Sequence, residues 1–160
     1  MRVFLLGAPC AGKTTLMTPL RALLSCPVLD MDDEIRTLNG GTWPRIEAKR
    51  GLARRVIERA SHSDDGVLAY SLLDQQQLAL LNAHGWVVCL LDVPEAILRG
   101  RAERRLHSEG WTNIEWLPLH LRVIDDLLAR GAFAHVLDAT MPVPALAATI
   151  VAILEGGAEG

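Results

Sequence analysis

The feature that most constrains this chain is a short segment near its start in which two spaced glycines are followed by a lysine. Residues 7–14 read GAPCAGKT, which fits the phosphate-binding pattern G-x-x-x-x-G-K-S/T at every fixed position. The run follows a short apolar segment and precedes a stretch of helical periodicity, which is the strand–loop–helix context that this pattern needs. With glycine at about 7% of residues, a chance match has odds on the order of one in a few hundred. We therefore predict a loop that binds the phosphates of a nucleotide.

The residue types in this loop suit phosphate chemistry. Gly7 and Gly12 are expected to turn the backbone with positive φ, so that successive N–H groups point into one concavity. Lys13 supplies a mobile positive charge for the β- and γ-phosphates, and the Thr14 hydroxyl is a hard oxygen ligand for Mg²⁺. The residues expected to bind the nucleotide in this segment are Gly7, Ala8, Cys10, Ala11, Gly12, Lys13, Thr14 and Thr15.

Apolar runs and helical segments alternate along the rest of the chain. Five runs predict strands buried on both faces, at 3–6, 27–29, 67–70, 86–91 and 134–137. Helical periodicity covers 13–24, 44–60, 74–83, 94–106, 113–129 and 142–154. This alternation is typical of a parallel sheet with helices on both faces, and the length fits one domain over 1–160. Residues 107–112 lack periodicity, so we expect a mobile loop there.

A cluster of carboxylates follows the second predicted strand, where the sequence from Asp30 reads DMDDE. In an open parallel sheet the carboxyl ends of neighbouring strands border one crevice, so we expect Asp30 or Asp32 to face the phosphate-binding loop. A carboxylate there can hold Mg²⁺ or accept a hydrogen bond from an attacking hydroxyl. The alternative is that Asp32, Asp33 and Glu34 only favour the N-terminus of a helix that begins near Ile35.

The phosphate-binding loop, the D-x-D-x-x-I segment that begins at Asp30 and the arginine-bearing helix after it resemble a group of P-loop kinases. The group comprises shikimate kinases, gluconate kinases and nucleoside-monophosphate kinases, and the resemblance covers nearly the whole chain in element order. It implies an α/β P-loop NTPase fold with three αβα layers, a five-stranded parallel sheet of order 2-3-1-4-5 and a short lid. By the shikimate kinase pattern, Asp30 lies near the metal with Thr14. By the same pattern Asp32 touches the acceptor hydroxyl, which gives it a catalytic role beside Lys13.

The chain departs from the shikimate kinase pattern after the third strand. Shikimate kinases carry a glycine triplet there, whereas residues 69–73 of this chain read AYSLL. No Asp ends that strand either, although the usual Walker B segment has one. The resemblance therefore does not name the acceptor or the second metal ligand.

Arginines fill the segment that is similar to the lid of these kinases, in which arginines close over ATP. Steps of three and four residues put Arg101, Arg104 and Arg105 on one side of a helix. Because a guanidinium stabilises the charge of a transferring phosphoryl group, we expect Arg101 and Arg104 to bind nucleotide and Arg105 to be catalytic. The alternative is that these arginines form salt bridges with Glu95 and Glu103.

A second basic set lies on the helix where the related kinases bind their acceptor. Its members are Arg45, Lys49, Arg50, Arg54 and Arg55. The set favours an anionic or phosphorylated acceptor, although a solvated helix face accounts for it equally well. Trp43, Trp111 and Trp116 flank the acceptor and lid segments and allow a ring-shaped acceptor.

Composition restricts the partners and the compartment. A net charge of -3 argues against a broad nucleic-acid surface, and no window approaches ~18 uninterrupted apolar residues, so we expect no membrane span. The three cysteines suit a reducing cytoplasm, because they form neither a metal-ligand spacing nor a complete set of disulfides. We expect a cytoplasmic monomer or homodimer whose partner is a small molecule.

The leading functional prediction is Mg²⁺-assisted transfer of a phosphoryl group from ATP to a hydroxyl or phosphate of a small metabolite. Two alternatives remain open. One is a nucleotide-binding switch or regulatory ATPase module that acts through a protein partner, and the other is a nucleoside-monophosphate kinase.

Overall fold

A five-stranded parallel sheet forms the centre of the computed structural model, which describes residues 1–156. The strands are β1 (Arg2–Leu6), β2 (Val28–Asp30), β3 (Gly66–Tyr70), β4 (Trp86–Asp92) and β5 (His135–Asp138). Every neighbouring pair is parallel and the order across the sheet is β2-β3-β1-β4-β5. The predicted fold class and strand order are therefore confirmed.

Helices cover both sides of this sheet. They are α1 (Lys13–Leu23), α2 (Met31–Leu38), α3 (Ile46–Ala60), α4 (Gln75–Ala83), α5 (Glu95–Glu109), α6 (Leu117–Ala129) and α7 (Val143–Gly156). A single 3₁₀ turn (Ile114–Trp116) precedes α6, in a segment that was expected to be one continuous helix. Among the helices of residues 1–156 we find no segment with the length and hydropathy of a membrane span.

Two predicted boundaries are wrong, and each has a local cause. The helix expected to begin near Ile35 begins at Met31, because the Asp30 side chain caps its first turn. The loop expected over 107–112 is helical as far as Glu109, because residues 101–109 contain neither glycine nor proline. Gly110 ends α5 with a left-handed φ of 74°, which glycine adopts without a steric penalty.

The central strand β1 fixes where the phosphate-binding loop begins. Its residues from Val3 to Leu6 are completely buried, and Leu6 pairs in register with Tyr70 of β3 and Leu90 of β4. The Gly7 amide continues the ladder beyond the strand by donating to the Tyr70 carbonyl at 3.1 Å. The start of the loop is therefore held from both sides by the core of the sheet.

We predict that the stability of the domain depends strongly on β1. Leu5→Ala removes a fully buried side chain and should lower the free energy of unfolding by about 2–5 kcal/mol, measured by denaturant titration. Leu23→Ala on α1 is the matched control, because Leu23 is 59% exposed, and it should cost well under about 1 kcal/mol. Equal losses in the two variants would contradict the burial of β1.

Candidate active site

The phosphate-binding loop follows β1 and opens α1, as its sequence requires. Its positive φ angles fall at Cys10, at 66°, and Gly12, at 96°, and not at Gly7, so the expectation that Gly7 turns with positive φ is wrong. Gly7 is needed for space instead, since a Cβ there would lie 3.0 Å from the Cβ of Ala11 and 3.3 Å from that of Leu91.

Lys13 is held inside the loop by neutral groups. Its Nζ donates to the carbonyl oxygens of Gly7 at 2.7 Å and Ala8 at 2.9 Å. Removal from water lowers the Lys13 pKa to about 8, and the nearby carboxylates of Asp32 and Asp30 only partly offset this effect. The ammonium has carbonyl partners that it can exchange for the oxygens of a phosphate.

Arg101 connects the loop to the opposite part of the cavity. Its Nη1 donates to the Cys10 carbonyl at 3.2 Å and its Nη2 donates to the Ala139 carbonyl at 3.4 Å. The guanidinium therefore joins the phosphate-binding loop to the segment after β5. It also borders the cavity, where it was expected to meet nucleotide.

A cavity of about 940 Å³ runs along the carboxyl edge of the sheet. Because β2 and β5 are the two outer strands, residues that follow them lie at opposite ends of this cavity. The β5 end is largely apolar and includes Ala139, Met141, Val143 and Leu146. The β2 end is polar and includes Asp30, Asp32, Arg36, Trp43, Ser71 and Asn113. The phosphate-binding loop, including the exposed Thr14 and Thr15, lies between them.

The two aspartates at the β2 end have different partners. Asp30 caps α2, since its Oδ1 accepts from the amides of Asp32 at 2.9 Å and Asp33 at 3.4 Å. Asp32 has a buried Oδ1 with no hydrogen-bond partner, and the nearest cation, Lys49 Nζ, is 3.9 Å away. Burial raises the pKa of Asp32, and Lys49 counteracts part of that rise.

The oxygen ligands in this region suit Mg²⁺, which keeps ligands from water and phosphate, better than a metal whose ligands all come from protein side chains. Thr14, Asp30 and Asp32 border the same cavity, whereas no cluster of three or more His, Cys, Asp or Glu within residues 1–156 is placed to hold a metal. Mg²⁺ commonly binds through one or two carboxylates together with substrate phosphates and water. A hydroxyl and a carboxylate beside a phosphate-binding loop are such a donor set.

Lys49 is the member of the second basic set that approaches the acidic residues. Its Nζ lies 4.6 Å from the centroid of the Trp43 ring and 5.6 Å from that of Tyr70. Tyr70 is buried at the end of β3, while Trp43 is 52% exposed. Arg50 is engaged elsewhere, by an ion pair with Asp74 at 3.1 Å.

The lid arginines separate according to their partners. Arg99 pairs with Glu95 on the outer face of α5, and Arg104 is exposed and does not border the cavity. Arg105 borders the cavity, and its charge contributes to the lowered pKa of Lys13. The structure thus brings Arg101 and Arg105 to the phosphate-binding loop and leaves Arg104 outside.

Sequence analysis did not identify one residue of this region, His120. Its Nδ1 lies 2.6 Å from the Ser71 carbonyl oxygen, so Nδ1 carries a proton that it donates. Burial lowers the pKa of His120, and the charges of Lys13 and Lys49 lower it further. A neutral imidazole thus ties α6 to the end of β3. A single polar residue within an amphipathic helix has no pattern that would reveal this role.

Comparisons with known proteins agree with this geometry. A shikimate kinase from Salinibacter ruber is 32% identical over 178 aligned positions, which cover 99% of this chain and 87% of that protein. A shikimate kinase from Acinetobacter baumannii, solved in complex with shikimate, superposes with a TM-score of 0.73 at 25% identity over 98% of this chain and 93% of its own. A gluconokinase from Sinorhizobium meliloti has the same fold, with a TM-score of 0.68 and 18% identity over 97% and 94%. No protein-family model matches the chain.

We predict that ATP binding weakens as the pH rises through about 8. The Lys13 pKa in the free protein is lowered to about 8, so its ammonium is charged below that pH and loses its proton above it. The dissociation constant for ATP, measured without divalent cations, should be level near about pH 7 and rise toward about tenfold by about pH 9.

Lys13→Ala is the control for this titration. The variant should bind ATP weakly at every pH, without the step near pH 8. Its melting temperature should be close to that of the parent, because losing the interactions of Lys13 is offset by no longer burying its charge. If the dissociation constant of the parent protein for ATP stays level between about pH 7 and about pH 9, Lys13 is not the group whose charge binds ATP.

Proposed function

This chain belongs to the shikimate kinase family, and we propose that it transfers the γ-phosphoryl group of ATP to a hydroxyl group of a small acidic metabolite. It is an ATP-dependent small-molecule kinase, like the shikimate kinases it matches. The observation that carries the proposal is the Asp32 carboxylate, which borders the same cavity as Lys13 and has a buried oxygen with no hydrogen-bond partner. Asp32 Oδ1 has a charged neighbour, Lys49 Nζ at 3.9 Å, and no hydrogen-bond donor, so it can accept a hydrogen bond from a substrate hydroxyl.

The chemistry assigns a distinct task to each charged group. The acceptor hydroxyl gives its proton to Asp32 while its oxygen forms a bond to the γ-phosphorus. The bond between that phosphorus and the bridging oxygen breaks, and ADP leaves. The raised pKa of Asp32 brings this base closer to the working pH. Lys13 and Arg105 supply positive charge beside the transferring group.

We propose Mg²⁺ as the metal, held by the side chains of Thr14 and Asp30. When bound, Mg²⁺ neutralises charge on the phosphates. Two amides of the first turn of α2 already fix Asp30 through Oδ1, which leaves its second carboxylate oxygen as a pre-oriented ligand.

The position of Lys49 favours an acceptor that carries a negative charge. Lys49 Nζ is the cation nearest to Asp32, at 3.9 Å, and its other contacts are with the rings of Trp43 and Tyr70, so we expect it to attract a carboxylate of the acceptor as well. Trp43 adds a half-exposed apolar face, which suits a ring or a carbon chain. After β3, residues 71–73 are Ser, Leu and Leu where shikimate kinases carry a glycine triplet, and Ser71 borders the cavity, so we expect the acceptor pocket to differ in shape from theirs.

The acceptor class is tested by measuring ATP consumption with shikimate, gluconate, D-glucose, AMP, CMP and UMP. We expect acceleration by an acid, and D-glucose is the neutral match for gluconate. Lys49→Met should raise the KM of the acid and leave that of ATP unchanged. Acceleration by a nucleoside monophosphate would favour the nucleotide kinase alternative. Hydrolysis that no acceptor stimulates would favour the regulatory ATPase.

We predict that Asp32→Asn lowers kcat about 10²–10⁴-fold with the accepted substrate, because the amide cannot take the hydroxyl proton. ATP affinity should change less than about threefold, since Asp32 acts on the acceptor. Glu34→Gln is the matched control, because Glu34 lies two residues away and does not border the cavity. Equal kcat values for Asp32→Asn and the parent would remove Asp32 from the reaction.

A further inference from the structure

The last turn of α5 and the residues just after it form a compact unit around Arg105. The Gly110 amide donates to the Leu106 carbonyl at 3.0 Å, and the left-handed φ of Gly110 turns the chain back toward the helix. The Trp111 ring then lies over the Arg105 guanidinium, with 4.9 Å between Cζ and the ring centroid. Glu109 completes the unit, because its Oε2 lies 3.4 Å from Arg105 Nε.

The way in which Arg105 is held leaves its outer nitrogens available. Trp111 contacts the flat face of the guanidinium, and Glu109 contacts Nε at its inner edge. Neither contact uses the two terminal nitrogens, which are the donors that engage phosphate oxygens in pairs. Arg105 borders the cavity close enough to Lys13 to depress its pKa. The aromatic face holds the guanidinium without adding a negative charge, while Glu109 supplies a carboxylate at Nε, away from the terminal nitrogens.

Trp111 does not serve as a core residue. Its side chain is 53% exposed, so little of its apolar area is removed from water by the fold. Trp116 is equally exposed, at 51%, and lies in the same segment. It neither borders the cavity nor stacks on a cation within residues 1–156. Trp111 therefore differs from Trp116 in two respects, since it borders the cavity and lies over Arg105.

We propose that Trp111 is a positioning residue that orients Arg105 toward the phosphoryl group during its transfer. This inference rests on the proposed phosphoryl transfer. In this role Trp111, which also borders the cavity, acts through Arg105. Its ring fixes the plane of the guanidinium before nucleotide binds. Arg105 therefore loses less conformational freedom when it binds the negatively charged oxygens of the phosphoryl group.

The test uses a complex that needs no acceptor. ADP with Mg²⁺ and aluminium fluoride presents a planar, negatively charged mimic of the phosphoryl group, and ADP with Mg²⁺ alone lacks it. We expect Trp111→Leu to weaken the fluoride complex about three- to tenfold, the size of a cation–π contact, and to change ADP affinity less than about twofold. Trp111→Phe keeps an aromatic face and should retain most of the affinity. Trp116→Leu should match the parent.

A double-mutant cycle separates positioning from packing. In an Arg105→Ala background, Trp111→Leu should have no further effect on the fluoride complex, because the residue that it orients is absent. Equal weakening of both complexes, or the same loss with Trp116→Leu, would overturn the inference. No loss with Trp111→Leu would overturn it as well. If the parent protein binds the fluoride complex no tighter than ADP, the proposed phosphoryl transfer itself fails, which is a separate outcome.

Discussion

The charge of Lys13 is held out of water by two backbone carbonyls, and the rest of the site depends on that contact. An ammonium paired with a carboxylate would be neutralised, whereas one held by carbonyls keeps its full charge and has a lowered pKa. Gly7, which supplies one of the two carbonyls, has no room for a side chain, since a Cβ there would lie 3.0 Å from the Cβ of Ala11. The contact is also maintained by β1, which the core of the sheet fixes from both sides.

Other cations in or near the cavity also contact neutral groups, in two cases together with a carboxylate. Arg101 donates to the carbonyls of Cys10 and Ala139. Lys49 lies over the ring of Trp43, with Asp32 Oδ1 at 3.9 Å, and Arg105 lies over the ring of Trp111, with Glu109 at its Nε. Contacts with carbonyls and rings hold a cation without cancelling its charge, which favours polyanions such as ATP.

The sequence predicted the parts of the structure that depend on short spacing or on periodicity. The alternation of apolar runs and helical segments predicted the parallel sheet, and the pattern of the phosphate-binding segment predicted its strand–loop–helix context. The strand order and the separate roles proposed for Asp30 and Asp32 followed from the resemblance to P-loop kinases. The capping of α2 by Asp30 was not predicted, because it depends on where α2 begins. The partners of Arg101 lie 91 and 38 residues away along the chain. His120 depends on packing between α6 and the end of β3, and local sequence carries no information about such contacts.

The transfer of a phosphoryl group from ATP to a hydroxyl is tested most directly by ³¹P NMR of the complete reaction. The protein is incubated with ATP, Mg²⁺ and the hydroxy acid that accelerates ATP consumption most, and the products are followed over time. ADP and a new phosphomonoester resonance should grow in equal amounts, with little inorganic phosphate. Growth of ADP and inorganic phosphate alone would show that water is the acceptor, and would contradict the role of Asp32 in orienting a substrate hydroxyl.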